Sequence, residues 1–412
     1  MRRGERILTA GPVALFVSLI TLMFVASAAD ARSERAVCPG PVAPGVARCH
    51  AHVIVDAHGL PASGSSPSGY GPAQFHGAYA LPTVSPSSAP AQTVAIVDAY
   101  DDPSIRTDLT RYDKTFGIPD LPTCGSTLTN GCFAKVDQSG VASPLPGANS
   151  GWALEIALDV ETAHQICQSC KVLLVEANSS GGADLDAAED TAARLGATEI
   201  SNSWGTEGEY SGETAENGHF NHPGIAITVA AGDNGYNHFG FPAASPDVID
   251  VGGTTLNVTL SGSGYTWAGE ETWSGSGSGC SGYFTAQSFQ EAAAGFSLTG
   301  CGHARGVADV AADANPETGA AVYDSTRYQG RSGWLQIGGT SLASPLIAGT
   351  YAIAGNAASV AYPGALPYGN AGALHDVTAG ASTGRCATTA CRPATGYDGP
   401  TGMGTPNGVS AF

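Results

Sequence analysis

The stretch IAITVAAGDNG, residues 225–235, decides the fold class. Its apolar run predicts a buried strand, and the strand ends in a glycine-flanked turn that carries Asp233. Similar apolar runs recur along the chain and alternate with helical patterns. The predicted strands are Thr93–Ala99, Lys171–Glu176, Thr198–Ser203, Ile225–Ala230 and Val248–Gly252. The predicted helices are Gly151–Cys167, Ala183–Leu195, Gly212–His219 and Thr340–Gly355. This alternation is typical of an α/β fold with a mostly parallel sheet flanked by helices on both faces.

A serine lies at the predicted start of a helix in IGGTSLASP, residues 337–345. Gly338 and Gly339 allow close backbone approach, and the first N–H groups of a helix stabilise negative charge beside the Ser341 hydroxyl. The pattern favours a nucleophile. The alternative is a glycine-rich turn with a serine at the helix cap.

A serine hydroxyl needs an adjacent base to become a nucleophile, and the sequence contains no histidine in a Gly-His-Gly-Thr turn. The predicted helix GWALEIALDVE, residues 151–161, offers a carboxyl pair instead. Glu155 and Asp159 project from one face and are close enough to share a proton. An ordinary surface pair is the alternative, and His164 points to the other side of the helix.

Asp233 follows its strand directly, at the sheet edge where open α/β folds bind ligands. A carboxyl kept protonated there can donate a hydrogen bond to a developing oxyanion. An ordinary Asx turn in the Asp-Asn-Gly loop is the alternative.

Taken together, these residues resemble the sedolisins, serine-carboxyl peptidases with a subtilisin-like fold. The matching segments, which span nearly everything from residue 69 onward, are Glu155-x-x-x-Asp159, SNSWG at 201–205, AGDNG at 231–235, GGTSxxxP at 338–345, YGPAQFHGAY at 70–79 and RGVADVAAD at 305–313.

The resemblance implies a role for each candidate residue. Glu155 would be the general base, Asp159 its orienting partner, Ser341 the nucleophile and Asp233 the oxyanion stabiliser. It also implies that Asp98 and Trp204 extend a hydrogen-bond network behind the carboxyl pair.

Two short loops near the C-terminus, HDVTAG at 375–380 and ATGYDG at 394–399, predict a metal site. Calcium prefers hard oxygen ligands in such settings, and alternate residues of an extended strand point to one side. The resemblance implies one structural Ca²⁺, held by the carboxylates of Asp376 and Asp398 and the carbonyls of Val377, Ala394 and Gly396. An insert with Cys386 and Cys391 departs from the family pattern, and a pair of polar turns is the alternative.

The N-terminal sequence predicts export. A basic start, an apolar segment and small residues indicate a signal peptide over residues 1–31, cleaved after Ala28 or Ala31, with an uncleaved membrane anchor as the alternative. Residues 32–68 have the composition of a short pro-segment or linker. Residues 69–412 form the predicted peptidase domain, including the calcium loops.

The ten cysteines indicate disulfides formed in an oxidising compartment. Their spacing suggests bridges between neighbours along the chain: Cys38 with Cys49, Cys124 with Cys132, Cys167 with Cys170, Cys280 with Cys301, and Cys386 with Cys391. A redox or zinc motif is the alternative for Cys167 and Cys170.

The formal net charge of −19 argues against nucleic acid or anionic lipid as a partner. We expect polypeptide substrates, a monomer, an extracellular location and no stable membrane association once the signal peptide is removed. The glycine- and serine-rich stretch 261–282 predicts a surface loop near the cleft.

The predicted function is that of a secreted serine-carboxyl endopeptidase. We expect activity at acidic pH, because Asp233 must keep its proton while Glu155 accepts one. The alternatives are a tripeptidyl exopeptidase of the same family and a catalytically inactive sedolisin-like binding protein. A serine esterase is disfavoured because the Gly-x-Ser-x-Gly motif is missing around Ser341.

Overall fold

A computed structural model describes residues 1, 4, 33–40, 43–83, 92–125, 131–262 and 264–412. The chain divides into two units, Met1–Ala31 and Arg32–Phe412. The predicted signal peptide lies outside the described residues, apart from Met1 and Gly4. None of the helices in the described ranges combines the length and apolar character that crossing a bilayer requires.

The described regular elements are many and mostly short. In chain order, the strands are β1 (Glu34–Ala36), β2 (Ala47–Cys49), β3 (His52–Ile54), β4 (Thr93–Ala99), β5 (Phe133–Asp137), β6 (Lys171–Ala177), β7 (Glu199–Asn202), β8 (Trp204–Thr206), β9 (Ala226–Ala230), β10 (Ile249–Ser261), β11 (Gly264–Thr272), β12 (Cys280–Thr285), β13 (Ala304–Gly306), β14 (Val310–Asp313), β15 (Ala320–Tyr328), β16 (Arg331–Gly338), β17 (Leu374–His375) and β18 (Thr405–Pro406). The α-helices are α1 (Pro72–Ala78), α2 (Ile105–Phe116), α3 (Ser150–Ile166), α4 (Gly182–Arg194), α5 (Glu213–Glu216), α6 (Ser288–Glu291), α7 (Phe296–Thr299), α8 (Thr340–Ala354) and α9 (Ala365–Gly369).

The central sheet has the strand order β11-β10-β9-β7-β4-β6-β5, and β14 also pairs with β10. The pairs between β5, β6, β4, β7, β9 and β10 are parallel, as is the pair of β10 with β14. Only the β10–β11 pair of this sheet is antiparallel among the described strands. The predicted α/β class, with a mostly parallel sheet and helices on both faces, is confirmed.

Helices α3 and α8 pack against each other, and this contact positions the candidate site. Both helices are buried along almost their whole length; α8 is apolar on nearly every side, whereas α3 also buries polar side chains, Glu155 and Asp159 among them. A Cβ at Gly349 of α8 would lie 2.7 Å from the Ile166 side chain of α3. Glycine therefore permits a close approach between the helix that carries the carboxyl pair and the helix that carries the serine.

The stretch 261–282 is not the surface loop that its composition suggests. Residues Gly264–Thr272 form β11, which pairs antiparallel with β10 through Thr254↔Thr272 and successive residues. Trp273 and Ser276 are buried. The loop prediction was wrong because it relied on the many glycine and serine residues and gave too little weight to the β-favouring Tyr, Thr and Trp residues between them. The predicted helix at 212–219 is also shorter, since α5 ends at Glu216 and a 3₁₀ turn follows.

The N-terminal segment 33–54 packs onto the same unit as the central sheet. β1 pairs with β3, and β3 pairs with β16, in a sheet of order β1-β3-β16-β15. β2 pairs antiparallel with β8. Backbone hydrogen bonds thus join the segment to β8, which follows Ser203, and to β16, which precedes Ser341.

Five disulfides are present and join the predicted pairs. No free cysteine is found among the described residues.

Candidate active site

Ser341 is the second residue of α8; Gly338 ends β16, and Gly339 precedes the helix. Gly339 has φ +99°, a conformation that favours glycine. The Ser341 side chain is fully buried, and its hydroxyl donates a hydrogen bond to the Ser203 carbonyl at 3.1 Å. The helix N-terminus and the strand end around Ser203 together hold the hydroxyl in place.

The carboxyl pair lies on one face of α3, as predicted, and both side chains have 0% exposure. Asn149 caps this helix by accepting hydrogen bonds from the Gly151 and Trp152 N–H groups. Burial raises the pKa of Glu155 well above its usual value, and the nearby Asp159 and Asp98 raise it further. The Ser341 hydroxyl is near enough to oppose that rise. The structure therefore brings Glu155, Asp159 and Ser341 together.

Asp98, near the end of β4, adds a third buried carboxyl group behind the Glu155–Asp159 pair. Burial and the neighbouring Asp159 and Glu176 raise its pKa well above the ordinary value. In the described part of the chain, none of the six carboxyl oxygens of Glu155, Asp159 and Asp98 has a hydrogen-bond partner of normal geometry. Because Asp159 raises the pKa of both Glu155 and Asp98, the three buried carboxyls cannot all be ionised at once.

Trp204 contributes differently from what the resemblance implies. Its indole N–H donates to the Val97 carbonyl at 2.8 Å rather than to a carboxyl group. It supports the network by anchoring β8 to β4.

Asp233 is fixed on the other side of the serine. Its Oδ1 accepts hydrogen bonds from the Thr340 N–H and hydroxyl, both at 2.8 Å. Burial raises the pKa of Asp233 to about 6, although the His52 charge and the Thr340 hydrogen bonds oppose the rise. Its Oδ2 has no hydrogen-bond partner among the described residues and lies near Gly339. Asp233 can therefore present a protonated or ionised oxygen beside the start of α8.

Two histidines enter the site, and sequence reasoning missed both. His52 Nε2 lies 3.6 Å from Asp233 Oδ2, and its Nδ1 lies 3.5 Å from Glu34 Oε1. Burial alone would lower the pKa of His52, but Glu34 and Asp233 outweigh it and raise the pKa. The other is His50, whose pKa falls to about 3 because of burial. No motif in the sequence marks either one.

The two predicted calcium loops meet. The Gly396 N–H donates to Asp376 Oδ2 at 2.9 Å, and the Ala394 N–H donates to Asp398 Oδ2 at 2.8 Å. Asp398 is fully buried, and burial raises its pKa to about 7, with the nearby Asp376 adding to the rise. Val377 is buried in the same loop as Asp376. A hard cation bound by the two carboxylates would relieve the repulsion between them.

A second acidic group was not predicted. Oxygen atoms of Asp102, Asp108 and Asp324 lie within 4.8 Å of one another, and all three residues are buried. Ser104, Ser325 and Thr326 donate hydrogen bonds to them. Asp324 lies more than two hundred positions after Asp102 and Asp108, so no local pattern predicts the group.

A buried serine at a helix N-terminus, a buried carboxyl pair on the packed neighbouring helix and a mostly parallel sheet define a subtilisin-like protein with carboxyl groups beside its serine. Residues 147–363 match the subtilase family, Peptidase_S8. The chain is 27% identical over 379 residues to sedolisin of Pseudomonas sp. (strain 101), covering 81% of this chain and 60% of that protein. It is 28% identical over 375 residues to kumamolisin of Bacillus sp. (strain MN-32), covering 84% and 63%.

A solved structure of Pseudomonas sedolisin, a serine-carboxyl proteinase in complex with pseudo-iodotyrostatin, shares the fold. Its TM-score is 0.64 at 24% identity, over 83% of this chain and 96% of that one. The chain belongs to the subtilase family, as a sedolisin-type, subtilisin-like member. It spans about three-fifths of the length of the sedolisin and kumamolisin sequences that it matches.

Proposed function

We propose that this protein is a serine-carboxyl endopeptidase that works at acidic pH. One observation carries the proposal: the buried carboxyl pair Glu155 and Asp159 lies beside the buried Ser341, with the Ser341 hydroxyl near enough to influence the pKa of Glu155. The homology to sedolisin and kumamolisin supports a serine peptidase.

The proposed reaction starts from the Ser341 hydroxyl. Its oxygen attacks the substrate carbonyl carbon while its proton passes to Glu155, which Asp159 orients. The resulting oxyanion receives hydrogen bonds from the Ser341 N–H and from protonated Asp233. Glu155 then returns the proton to the leaving amine, and water hydrolyses the acyl-enzyme by the same route.

The pH dependence follows from Asp233. Because its pKa is about 6, the proton needed for oxyanion stabilisation is present below that pH and lost above it. One negative charge shared among Glu155, Asp159 and Asp98 suffices to accept the serine proton. We therefore expect activity to rise as the pH falls through about 6.

The endopeptidase mode is favoured over tripeptidyl release because extended backbone pairs on both sides of the serine. β8 pairs with β2 and β16 pairs with β3, so residues 47–54 of the chain itself run antiparallel to both strands that flank the serine. A cleft with pairing strands on both sides suits an internal stretch of polypeptide.

The direct test compares the wild-type chain with Ser341→Ala on a denatured protein substrate, across acid and neutral pH. We expect hydrolysis at acid pH with internal cuts, and a loss of several orders of magnitude in the variant. Equal hydrolysis by both proteins would exclude Ser341 as the nucleophile. Absence of hydrolysis by either would favour the inactive binding protein. Release of tripeptides alone would favour the exopeptidase.

We also propose that one Ca²⁺ stabilises the C-terminal loops. Asp376 and Asp398 would supply carboxylates, and Val377, Ala394 and Gly396 would supply carbonyls. The ion would hold the two loops together. A chelator should lower the Tm of the wild type but not that of Asp398→Asn, and restored Ca²⁺ should recover it. Equal responses of the two proteins would contradict the site.

Finally, we propose an exported monomer that acts on polypeptides. Five disulfides support an oxidising compartment. Recovery of the protein from the medium at a monomer mass, without residues 1–28 or 1–31, would support this proposal. Retention in the membrane fraction would contradict it.

A further inference from the structure

Three buried carboxyl groups meet at a point that the proposed reaction does not use. Asp102 lies between β4 and α2, Asp108 lies in the first turn of α2, and Asp324 lies in β15. Each of the three has an oxygen within 4.8 Å of an oxygen of the other two, and none of these residues is more than 1% exposed. A single small ion can therefore contact all three.

Hydrogen bonds orient these carboxyl groups by fixing one oxygen of each. Asp102 Oδ1 accepts from the Ser104 N–H at 2.9 Å, and from the Ser104 and Thr326 hydroxyls at 3.0 and 3.1 Å. Asp108 Oδ2 accepts from the N–H and hydroxyl of Ser325 at 2.8 and 3.0 Å. Carboxylates that bind metals are held by outer hydrogen bonds in the same way.

The second oxygen of Asp102 and that of Asp324 are buried without a partner. Asp324 Oδ1 is held by the Thr326 N–H at 2.6 Å. Asp324 Oδ2 and Asp102 Oδ2, in contrast, have no hydrogen-bond partner in the part of the chain that the structure describes. An unpaired buried carboxyl oxygen is costly, and a bound cation would satisfy it.

A fourth carboxyl group adds negative charge from the neighbouring helix α3. Glu161 has one buried oxygen without a partner among the described residues. Burial raises the pKa of Glu161, and the nearby Asp108 and Asp324 raise it further. None of the ion pairs found within the described ranges includes Glu161, Asp102, Asp108 or Asp324. The group is therefore an uncompensated negative centre.

Lys135 lies close by, but its ammonium group is engaged elsewhere. Its Nζ donates to the backbone carbonyl of Asp102 at 2.8 Å, and it forms ion pairs with Asp101 and with Glu176 Oε1, the latter at 3.5 Å. It thus neutralises two other carboxylates rather than the group of three. A cation that balances Asp102, Asp108 and Asp324 would have to come from solution.

The chemistry of the ligand set indicates which ion fits. Each carboxyl group has one oxygen left to offer, and the hydroxyls of Ser104 and Thr326 lie beside them, 2.6 Å apart. Oxygen-only ligands are those that hard divalent cations prefer. Three single carboxylate oxygens and two hydroxyls are fewer ligands than Ca²⁺ usually takes, whereas Mg²⁺ and Mn²⁺ need only one further ligand, such as water.

We propose that Asp102, Asp108 and Asp324 bind one divalent cation of the Mg²⁺ or Mn²⁺ class. The ion joins the loop after β4, the first turn of α2 and β15. Because β15 pairs with β16, which ends at Gly338, the ion also ties the strand that leads to Ser341 to the end of β4. This site is separate from the Ca²⁺ proposed for the C-terminal loops, and it does not depend on the peptidase reaction.

The test uses Mn²⁺ as the probe, because the EPR signal of free Mn²⁺ disappears when the ion binds. The titration starts from metal-free Asp398→Asn, which lacks a carboxylate of the C-terminal loops, at neutral pH, where protons compete less with the ion. We expect one bound Mn²⁺ per chain, displaced by Mg²⁺. The Tm should rise by at least about 2 °C when Mn²⁺ saturates the site. The chelator comparison proposed for the C-terminal loops uses protein reloaded with Ca²⁺ alone, so this site does not enter it.

Removing one carboxylate should abolish binding without unfolding the chain. Asp324→Asn, added to Asp398→Asn, keeps an acceptor for the Thr326 N–H but loses the negative charge. The affinity for Mn²⁺ should therefore fall by at least about tenfold, and Mn²⁺ should no longer raise the Tm. Without added ions the Tm should not fall, because one of three mutually repelling groups is gone.

The matched control is Asp250→Asn in the same Asp398→Asn chain. Asp250 is also fully buried and has one oxygen without a partner in the described ranges. Burial raises the pKa of Asp250 to about 8, as it does for Asp324, but Arg305 lies near Asp250 and opposes the rise. Asp250→Asn should bind Mn²⁺ as tightly as the parent chain.

The other outcomes would overturn the site. Absence of bound Mn²⁺ in Asp398→Asn would show that the three carboxyl groups hold protons instead of an ion. Equal affinity with and without Asp324→Asn would place the bound ion elsewhere. Stronger displacement of Mn²⁺ by Ca²⁺ than by Mg²⁺ would contradict the class of ion. If Asp324→Asn does not melt cooperatively, Asp108→Asn replaces it with the same expected loss. None of these measurements uses hydrolysis, so their failure leaves the proposed function standing.

Discussion

The carboxyl cluster around Glu155 and the carboxyl group of Asp309 are equally buried, but they differ in what faces them. Asp309 receives both Nη atoms of the buried Arg305, at 2.9 and 2.5 Å, and the Tyr368 hydroxyl at 2.6 Å. None of the ion pairs in the described ranges involves Glu155 or Asp159. Burial with a bidentate cation makes a structural anchor, whereas burial without one raises the pKa of a carboxyl group and lets it hold a proton.

Removing the charge of Glu155 should have the largest effect. Glu155→Gln keeps the size of the side chain but removes the proton acceptor, so kcat should fall on the order of 10³-fold or more. The measurement is hydrolysis of a denatured protein at acid pH. Glu199→Gln is the matched control, because Glu199 is equally buried and its pKa is raised to about 8 by burial. Comparable losses in the two variants would show that burial alone, rather than position, matters.

Removing the charge of Asp309 should affect folding instead. Asp309→Asn leaves the Arg305 guanidinium buried without its counter-ion, which costs about 3–5 kcal/mol in comparable pairs. Urea unfolding gives the free energy change. Activity per folded molecule should stay near the wild-type value. A stability loss below about 1 kcal/mol would show that Arg305 finds another partner.

Asp233 is intermediate between Glu155, which has no cation beside it, and Asp309, which has Arg305. It is buried, but His52 lies nearby. Below about pH 6 its carboxyl is protonated, and above that pH it ionises, so wild-type activity should fall as the pH rises through about 6. Asp233→Asn keeps a donor that does not titrate. We expect it to remain within about tenfold of the wild type at acid pH and to lose this decline. If activity declined with the same pH midpoint in the wild type and in Asp233→Asn, a group other than Asp233 would cause the decline.

The smallest expected effect is on thermal stability. Burial raises the pKa of Glu189 and of Glu199 to about 8. The folded state binds these two protons more tightly than the unfolded state does, so protonation stabilises the folded protein at low pH. This stabilisation is lost as the pH rises through about 8. The Tm should therefore be several degrees higher near pH 4 than near pH 8. Glu199→Gln should flatten this dependence. A Tm that rises with pH would contradict the assignment.

The sequence predicted the parts that depend on local pattern. Apolar runs located β4, β6 and β9 within a residue or two, because fully buried parallel strands contain few polar residues. The spacing of Glu155 and Asp159 placed them on one helix face, where the structure also has them. Their catalytic roles, and that of Ser341, remain predictions.

The rest depends on contacts between distant residues. β11 follows β10 in a long hairpin whose glycine-rich sequence conceals its alternation. The approach of His50 to Ser341 joins positions nearly three hundred residues apart, and no local periodicity reports such a contact. For the same reason, the sequence showed the composition of residues 33–50 but could not show that they lie beside Ser341.

The claim that a buried carboxyl activates Ser341 is tested most directly by the rate of acylation. The protein is mixed with a chromogenic active ester at acid pH, and the burst is followed in the wild type, Glu155→Gln and Glu199→Gln. We predict a burst of one equivalent in the wild type and in Glu199→Gln, and a burst slowed on the order of 10³-fold or more in Glu155→Gln. A burst of equal rate in Glu155→Gln would contradict it.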